Sequence, residues 1–421
     1  MRILLVGGGG REHAIAWKLC QSQHCEALYA APGNAGIAQL AECVPIAPTA
    51  ISELVAFAKQ NAIDLVVVGP ESPLIAGLAD AMREAGIRCF GPSRAAAQLE
   101  GSKAFAKQLM QQVGAPTAPF AVFDDPETAK AYLRNRYAEH PCVVKADGEA
   151  LGKGAFVCDT FSDALDAVEF LMVERGLGEA GARVVIEDRL YGREMSLLCI
   201  VDGQTALPMP PVRDYKRALD SDRGPNTGGM GCYTPLPDAP PALIEAALHQ
   251  IVHPVVAAMA QRGTPYHGIL YAGLMISNEQ PYTLEFNCRF GDPETQVLMP
   301  LLESDLVELA LASIEGTLHA TPMRFSSRAA VCVVLASGGY PGSYRTGLPI
   351  EGLSQASQLP DVLIFHAGTR QQEGQIVTAG GRVLNVVGIG DTLADARANA
   401  YRAVESIHFE GMHYRTDIAL T

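Results

Sequence analysis

Four times within the first hundred residues a short apolar run stops at a glycine-containing turn. Residues 2–6 run into Gly7-Gly-Gly-Gly10, 26–30 into Pro32-Gly-Asn-Ala-Gly36, 64–68 into Gly69-Pro-Glu71, and 88–90 into Gly91-Pro92. Between them lie helical patterns opening near Arg11, Ile51 and Leu74. Strand, turn and helix in that rotation predict a βαβ series with a parallel sheet, whose ligands sit at the carboxyl ends of the strands. A dinucleotide fingerprint fails in the first turn, because GxGxxG begun at Gly7 or Gly8 puts Glu12 or His13 at its last glycine. NAD is therefore disfavoured, whereas a phosphate at the amides opening the first helix is reasonable.

The 421 residues predict two to four domains. They are 48% hydrophobic, yet no uninterrupted apolar run reaches the length of a membrane span, and the first strand lacks a signal-peptide core, so a cytoplasmic protein without a membrane partner is expected. A formal charge of −14 without a dense Lys/Arg cluster excludes a nucleic-acid backbone as partner. The ten cysteines are scattered, and the closest pair, Cys20 and Cys25, lacks CxxC spacing, which predicts unpaired thiols.

The opening α/β unit ends in a helix from 101 to about 113 and a proline-rich linker, Gly114-Ala-Pro-Thr-Ala-Pro119. Strands at 142–146 and 154–158 flank Asp147-Gly-Glu-Ala-Leu-Gly-Lys-Gly154, with Lys145 on the first strand and Lys153 in the turn. This spacing differs from a Walker loop, and a β-hairpin lid over phosphate is the better picture. A strand at 183–188 brings Glu187, and the following corner brings Glu194; either is a suitable acceptor for a nucleoside or an ordinary surface acid. Residues 208–235 show neither helical nor strand period and read as a long functional loop carrying Asp214, Lys216 and Arg217.

A helix over about 243–261 leads to a hairpin of 268–276 with the strand Tyr282-Thr-Leu-Glu-Phe-Asn-Cys-Arg-Phe290. Alternation puts Thr283, Glu285, Asn287 and Arg289 on one face, a polar edge of about 13–14 Å. Glu285 and Asn287 supply the hard oxygens that Mg²⁺ takes beside substrate phosphates, and Arg289 can hold an anion. From Arg328 the pattern resets to a small α+β unit.

Read together, Gly7-Gly-Gly-Gly-Arg-Glu-His13, Pro32-Gly-Asn-Ala-Gly36, Gly69-Pro-Glu71, Leu99-Glu-Gly-Ser-Lys-Ala-Phe105, Lys145-Ala-Asp-Gly148, Gly224-Pro-Asn-Thr-Gly-Gly-Met-Gly231, Glu285-Phe-Asn-Cys-Arg-Phe-Gly-Asp-Pro-Glu-Thr295 and Gly338-Gly-Tyr-Pro-Gly342 closely resemble the phosphoribosylamine–glycine ligase family. These are ATP-grasp enzymes of purine biosynthesis. The resemblance runs in order from Met1 to about Asp417. It implies a multidomain α/β and α+β fold: a parallel α/β domain over 1–118, an ATP-grasp lid over 119–190, its core over 191–325, and a small α+β domain over 326–421. It implies ATP with Mg²⁺ or Mn²⁺ as cofactors, glycine and 5-phosphoribosylamine as substrates, a glycyl phosphate intermediate, and a monomer.

Residue by residue, the resemblance implies Glu285 and Asn287 as metal ligands. Lys103, Lys145 and Gly148 would meet ATP phosphates, Glu187 would lie at the adenine pocket, and Glu194 would take the ribose hydroxyls. Arg289, Asp292 and Lys216 would be catalytic, with Asp214 and Arg289 toward glycine. Gly10, Asn34 and Glu71 would hold phosphoribosylamine. Two departures stand out: Glu149 and Leu151 in a lid that in the family reads Asp-Gly-Leu-Ala-Ala-Gly-Lys-Gly, and Tyr215 where the family has histidine. The alternatives are another purine ATP-grasp enzyme, a formate-dependent transformylase or a carboxylase subunit, and a non-catalytic ATP-binding regulator.

Overall fold

The computed structural model describes residues 1–148 and 154–420; Glu149, Leu151 and Lys153 lie outside the described residues. The chain opens with β1 (Arg2–Gly7), β2 (Ala27–Pro32), β3 (Glu42–Cys43), β4 (Leu65–Val68) and β5 (Arg88–Phe90), a parallel sheet in the order β3-β2-β1-β4-β5. Helices cover both faces, so Ile3 to Val6 and Leu65 to Val68 are apolar at every position rather than at alternate ones. The order reverses between β1 and β4, and the turns after them, at Gly7 and Gly69, face the rest of the molecule. Glu12, on the helix Gly10–Leu19, fills the space between them: a Cβ on Gly69 would lie 2.0 Å from its Oε1, and its Oε2 accepts from the Gly9 amide at 2.6 Å. A carboxylate of the chain itself thus sits at the first helix start, where the sequence suggested a phosphate.

After the helix Lys103–Val113, the linker runs alongside the strand of Thr283, whose amide donates to Pro116 O at 2.8 Å. Strands β6 (Phe120–Phe123), β7 (Cys142–Ala146), β8 (Ala155–Cys158) and β9 (Val184–Asp188) form an antiparallel sheet in the order β6-β9-β7-β8. Its helices close a separate small core around Leu133, Val144, Leu171 and Ile186. Neither β6 nor the helix Pro126–Arg136 stood out in the sequence; the strand is four half-buried residues and the helix is mostly polar.

The chain continues through β10 (Arg193–Asp202), β11 (Ala206–Pro208), β12 (Arg213–Asp214), β13 (Arg217–Leu219), β14 (Arg223–Asn226), β15 (Gly231–Thr234), β16 (His267–Ser277) and β17 (Gln280–Asn287). Of these, β11-β10-β16-β17 form one antiparallel sheet. The helical run Pro241–Gln261 is apolar and long enough to cross a membrane by length and composition, but it lays Leu243, Ile251, Val255, Val256 and Met259 against the core. Last come β18 (Ala329–Ala336), β19 (Val362–His366), the hairpin β20 (Thr369–Gln372) and β21 (Gln375–Thr378), β22 (Arg382–Gly390), and the helix Leu393–Val404.

Two sequence expectations are corrected. The stretch 208–235 is not strand-free: β13 pairs with β14 and β12 with β15 inside it, and β15 joins β18, about a hundred residues on, so that β12 and β15 enter the last sheet in the order β12-β15-β18-β22-β19. The alternation expected of the strand carrying Glu285 and Asn287 is also broken. Gly273 pairs with Glu285 and Leu274 with Thr283, leaving Leu284 bulged. Thr283 is fully buried with its hydroxyl unpartnered among the described residues, Leu284 lines the adjacent cleft, and the polar edge begins only at Glu285.

Candidate active site

A cleft of about 950 Å³ lies between the β6–β9 sheet and the β10, β16, β17 face. It gathers Glu71, Lys103, Lys145, Glu187, Glu194, Asp214, Lys216, Glu285, Asn287, Arg289 and Asp292, drawn from three of the sheets and their connections. Three predicted residues lie away from its lining. Gly148 donates its amide to Ala180 O at 3.2 Å, and a Cβ there would come 2.8 Å from Ala180 Cα, so close packing explains the glycine. Asn34 is fully engaged: Nδ2 donates to Gly8 O (2.9 Å) and His366 O (2.8 Å), and Oδ1 accepts from the Gly36 and Ile37 amides. Gly10 abuts Asn385 and Gln296, where a Cβ would come 2.1 Å from Asn385 Nδ2. Both Asn34 and Gly10 sit where the first sheet meets the last one.

At the back of the cleft Glu187 is buried between two lysines. Lys145 Nζ lies 2.5 Å from its Oε1, and Lys107 pairs with Oε2. Lys145 also donates to Leu284 O at 3.0 Å, the carbonyl at the bulge, while Lys107 reaches Thr117 Oγ1, which donates in turn to Thr283 O. Burial would raise the Glu187 pKa, but the two ammonium groups outweigh it and hold the carboxyl below its usual range. Burial, with Lys145 adding to it, brings Lys107 down to about 8. Sequence reading gave Lys107 no role. The signal was its place four residues after Lys103, on one helix face.

Glu285 and Asn287 stand on the β17 edge. Burial pushes Glu285 upward, and Lys216, Lys103, Lys145 and Arg289 together hold it below the ordinary carboxylate range. No hydrogen bond among the described residues reaches its carboxylate. Asn287 Oδ1 accepts from Arg289 Nη2 at 3.2 Å. Arg289 is fixed further by Glu71 (Nε to Oε2, 3.2 Å) and Glu100 (3.6 Å), the latter also accepting from the Cys288 amide at 2.7 Å. Lys216 pairs with Glu194 at 2.7 Å; burial would lower its pKa, but Glu194, Glu285 and Asp214 raise it above the usual lysine value.

Asp214 and Glu294 form an acidic corner. Burial, and then the charge of Glu294, push Asp214 well above its usual pKa, and its Oδ1 has no hydrogen-bond partner among the described residues. Glu294 accepts from Tyr271 OH at 2.7 Å, and that hydroxyl lies 2.7 Å from Ser196 Oγ. Asp292 is held by Gln296 (2.7 Å) and Arg382 (3.4 Å), whose charge with that of Arg11 outweighs burial and lowers its pKa. Arg382, which also donates to Gly228 O at 2.6 Å, carried no sequence signal, since it comes from β22 and only the fold brings it here. The cleft therefore pairs a cationic wall with a hard-oxygen edge, an arrangement able to hold a polyphosphate with a divalent cation and to neutralise charge developing during phosphoryl transfer.

Three family models cover nearly all of the chain: the N domain of phosphoribosylglycinamide synthetase over residues 1–100, its ATP-grasp (A) domain over 101–295, and its C domain over 330–421. A phosphoribosylamine–glycine ligase of Caldanaerobacter subterraneus subsp. tengcongensis is 47% identical over 419 residues, covering 100% of this chain and 99% of the relative. That of Neisseria meningitidis is 49% identical over 421 residues, with the same coverage. Among solved structures, a phosphoribosylamine–glycine ligase of Thermotoga maritima superposes with a TM-score of 0.85 at 36% identity, covering 99% of this chain and 100% of that one. A biotin carboxylase domain from Hydrogenobacter thermophilus, with a TM-score of 0.74 at 15% identity over 98% of this chain and 91% of its own, shares the fold.

Proposed function

The chain belongs to the phosphoribosylglycinamide synthetase family, and from that premise we propose that it joins glycine to 5-phosphoribosylamine with ATP, giving glycinamide ribonucleotide, ADP and phosphate in purine biosynthesis. The observation that carries this reading is the Glu285/Asn287 edge facing Lys103, Lys145 and Lys216 across one cleft. The donor set suits Mg²⁺, with Mn²⁺ as its substitute: Glu285 offers a carboxylate that accepts no hydrogen bond among the described residues and Asn287 an amide oxygen, both hard ligands. Bound there beside the nucleotide, the ion would neutralise polyphosphate charge.

Lys103 and Lys145 hold the phosphates, with Glu187 and Lys107 fixing the direction of the Lys145 ammonium at the adenine end. Glu194, paired with Lys216, takes the ribose hydroxyls. Glycine binds near Arg289 and the Asp214 corner, with Lys216 and Asp292 near the reacting groups. Its carboxylate attacks the γ-phosphorus and ADP leaves, giving glycyl phosphate. The amine of phosphoribosylamine then attacks the acyl carbon, loses a proton, and displaces phosphate. Glu71, with Gly10 and Asn34 shaping the turns beside it, faces the phosphoribosylamine side, and Gly148 closes the turn at the base of the lid. The lid excludes water from the acyl phosphate. Divisions after residues 118, 190 and 325, a monomeric state and a cytoplasmic location complete the proposal.

The test is phosphate release from ATP and Mg²⁺ with glycine and freshly generated phosphoribosylamine, omitting each in turn. Release that requires both substrates supports the reading. Release that proceeds with formate or bicarbonate instead, or ATP binding without turnover, rejects it.

A further inference from the structure

The loop that brings Asp214, Lys216 and Arg217 to the cleft folds on itself, with Met230 N donating to Tyr215 O at 2.7 Å and Thr227 N to Lys216 O at 2.7 Å. Its outer side is gripped by the end of the chain. Arg415, 1% exposed, donates to Asp417 (Nε–Oδ1 and Nη2–Oδ2, both 2.7 Å), to Asp222 Oδ1 (2.7 Å) and to Arg217 O (3.2 Å), and its guanidinium lies 4.6 Å from the centre of the Tyr215 ring. Ala419 N donates to Tyr215 OH at 3.1 Å, Ser221 N to Asp417 Oδ2 at 2.8 Å, and Thr416 gives its amide (2.8 Å) and its hydroxyl (2.5 Å) to Asp220. The tail is tied down on its far side too: Arg397 on the helix Leu393–Val404 donates to Thr416 O (2.6 Å) and Ile418 O (3.0 Å), and Tyr401 OH to Arg415 O (2.7 Å).

We infer that residues 413–419 are a strap that sets the position of the Asp214–Arg217 loop, with Arg415 as its positioning residue for the reaction proposed above, on which this inference rests. The guanidinium is suited to the task, because its planar fork binds Asp417 at two points, reaches Asp222 and stacks on Tyr215, a combination that lysine's single ammonium cannot reproduce. Tyr215 is thereby tied into the strap by both ring and hydroxyl. Lys216 is the next residue, so play in the strap becomes misplacement of an ammonium in the cleft, and a shift of about 1 Å is enough to lower a rate on the order of a hundredfold.

The experiment compares the full-length parent with Arg415→Lys, Arg415→Ala and the milder Asp220→Ala, which severs the Thr416 contacts at the surface. Hydrogen exchange of peptides spanning 213–231 is read alongside steady-state kinetics and the melting midpoint. The expected result is exchange at least fivefold faster in that loop for Asp220→Ala and Arg415→Lys, with kcat per folded molecule at least fivefold lower and the KM for ATP within about twofold. Arg415→Ala would be more severe, and the two milder variants decide the matter should it fail to fold. Lowered midpoints with unchanged loop exchange and unchanged kcat would mean a purely structural role and overturn the inference. A parent without glycine-dependent turnover would sink the proposed reaction, while loop exchange would still report on the strap.

Discussion

Glu187→Gln is the sharpest perturbation available, because it deletes one charge from a buried group of three. At about 4 Å and an effective dielectric near 20, a unit pair is worth about 4 kcal/mol before desolvation, and Glu187 has two such partners within that range, both nearly sealed from solvent. Glutamine keeps the shape but leaves Lys107 and Lys145 facing each other uncompensated. Breaking a buried pair on one side costs about 3–5 kcal/mol. At about 1 °C per kcal/mol for a chain of this length, that lowers the melting midpoint by about 3–5 °C. Because Lys145 is proposed to meet the phosphates, ADP affinity measured by calorimetry should fall about tenfold or more. Adding Lys107→Met to the variant removes the stranded charge and should recover part of the midpoint, a coupling that the double-mutant cycle reads directly. A Glu187→Gln protein melting within 2 °C of its parent, or a Lys107→Met addition that only worsens it, would refute the argument that the carboxylate holds the two lysines.

The same carboxylate predicts a pH dependence. Its native pKa lies below the unfolded value of about 4.3, so its stabilisation is complete above that pH and is lost as pH falls through the native value; the parent's midpoint should therefore drop more steeply than that of Glu187→Gln between about pH 5 and 3. Glu285→Ala should lower turnover on the order of a hundredfold or more with an unchanged circular-dichroism melt, and near-normal activity would reject the metal assignment. Gly10→Ala would drive a methyl to 2.1 Å from Asn385 Nδ2 and 2.8 Å from Gln296 Nε2, so we expect a loss of about 1–3 kcal/mol in denaturant titration, and a neutral effect would show that this junction yields easily.

What the sequence made legible follows from locality. β1, β4 and β5 lie within a residue of where the glycine-turn rhythm put them, and the hairpin of β16 and β17 follows from two apolar runs around a short turn. The residues brought together in the cleft were recognisable where they stood in glycine-rich or alternating motifs. Lys107 was hidden by its ordinary helical surroundings, Glu100 by lying in a four-residue helix, and Arg382 because it belongs to a strand of another sheet. The bulge at Leu284 was invisible because an extra residue in one strand shows only against its partner. For the same reason, β12 and β15 looked like loop: two- and four-residue strands have no period of their own and exist by pairing, β12 with β15 and β15 with the distant β18.

That pairing has a consequence for how the protein is made. Strand β15 leaves the ribosome about a hundred residues ahead of β18, its neighbour in the last sheet, so at 5–20 residues per second it waits roughly 5–20 s for a partner. Through that interval Gly231–Thr234, every residue of which is buried in the finished sheet, presents an unpaired edge to whatever else is nascent or nearby. The Asp214–Arg217 loop just before it, held in place by residues near the end of the chain, cannot take its final shape until translation is almost over.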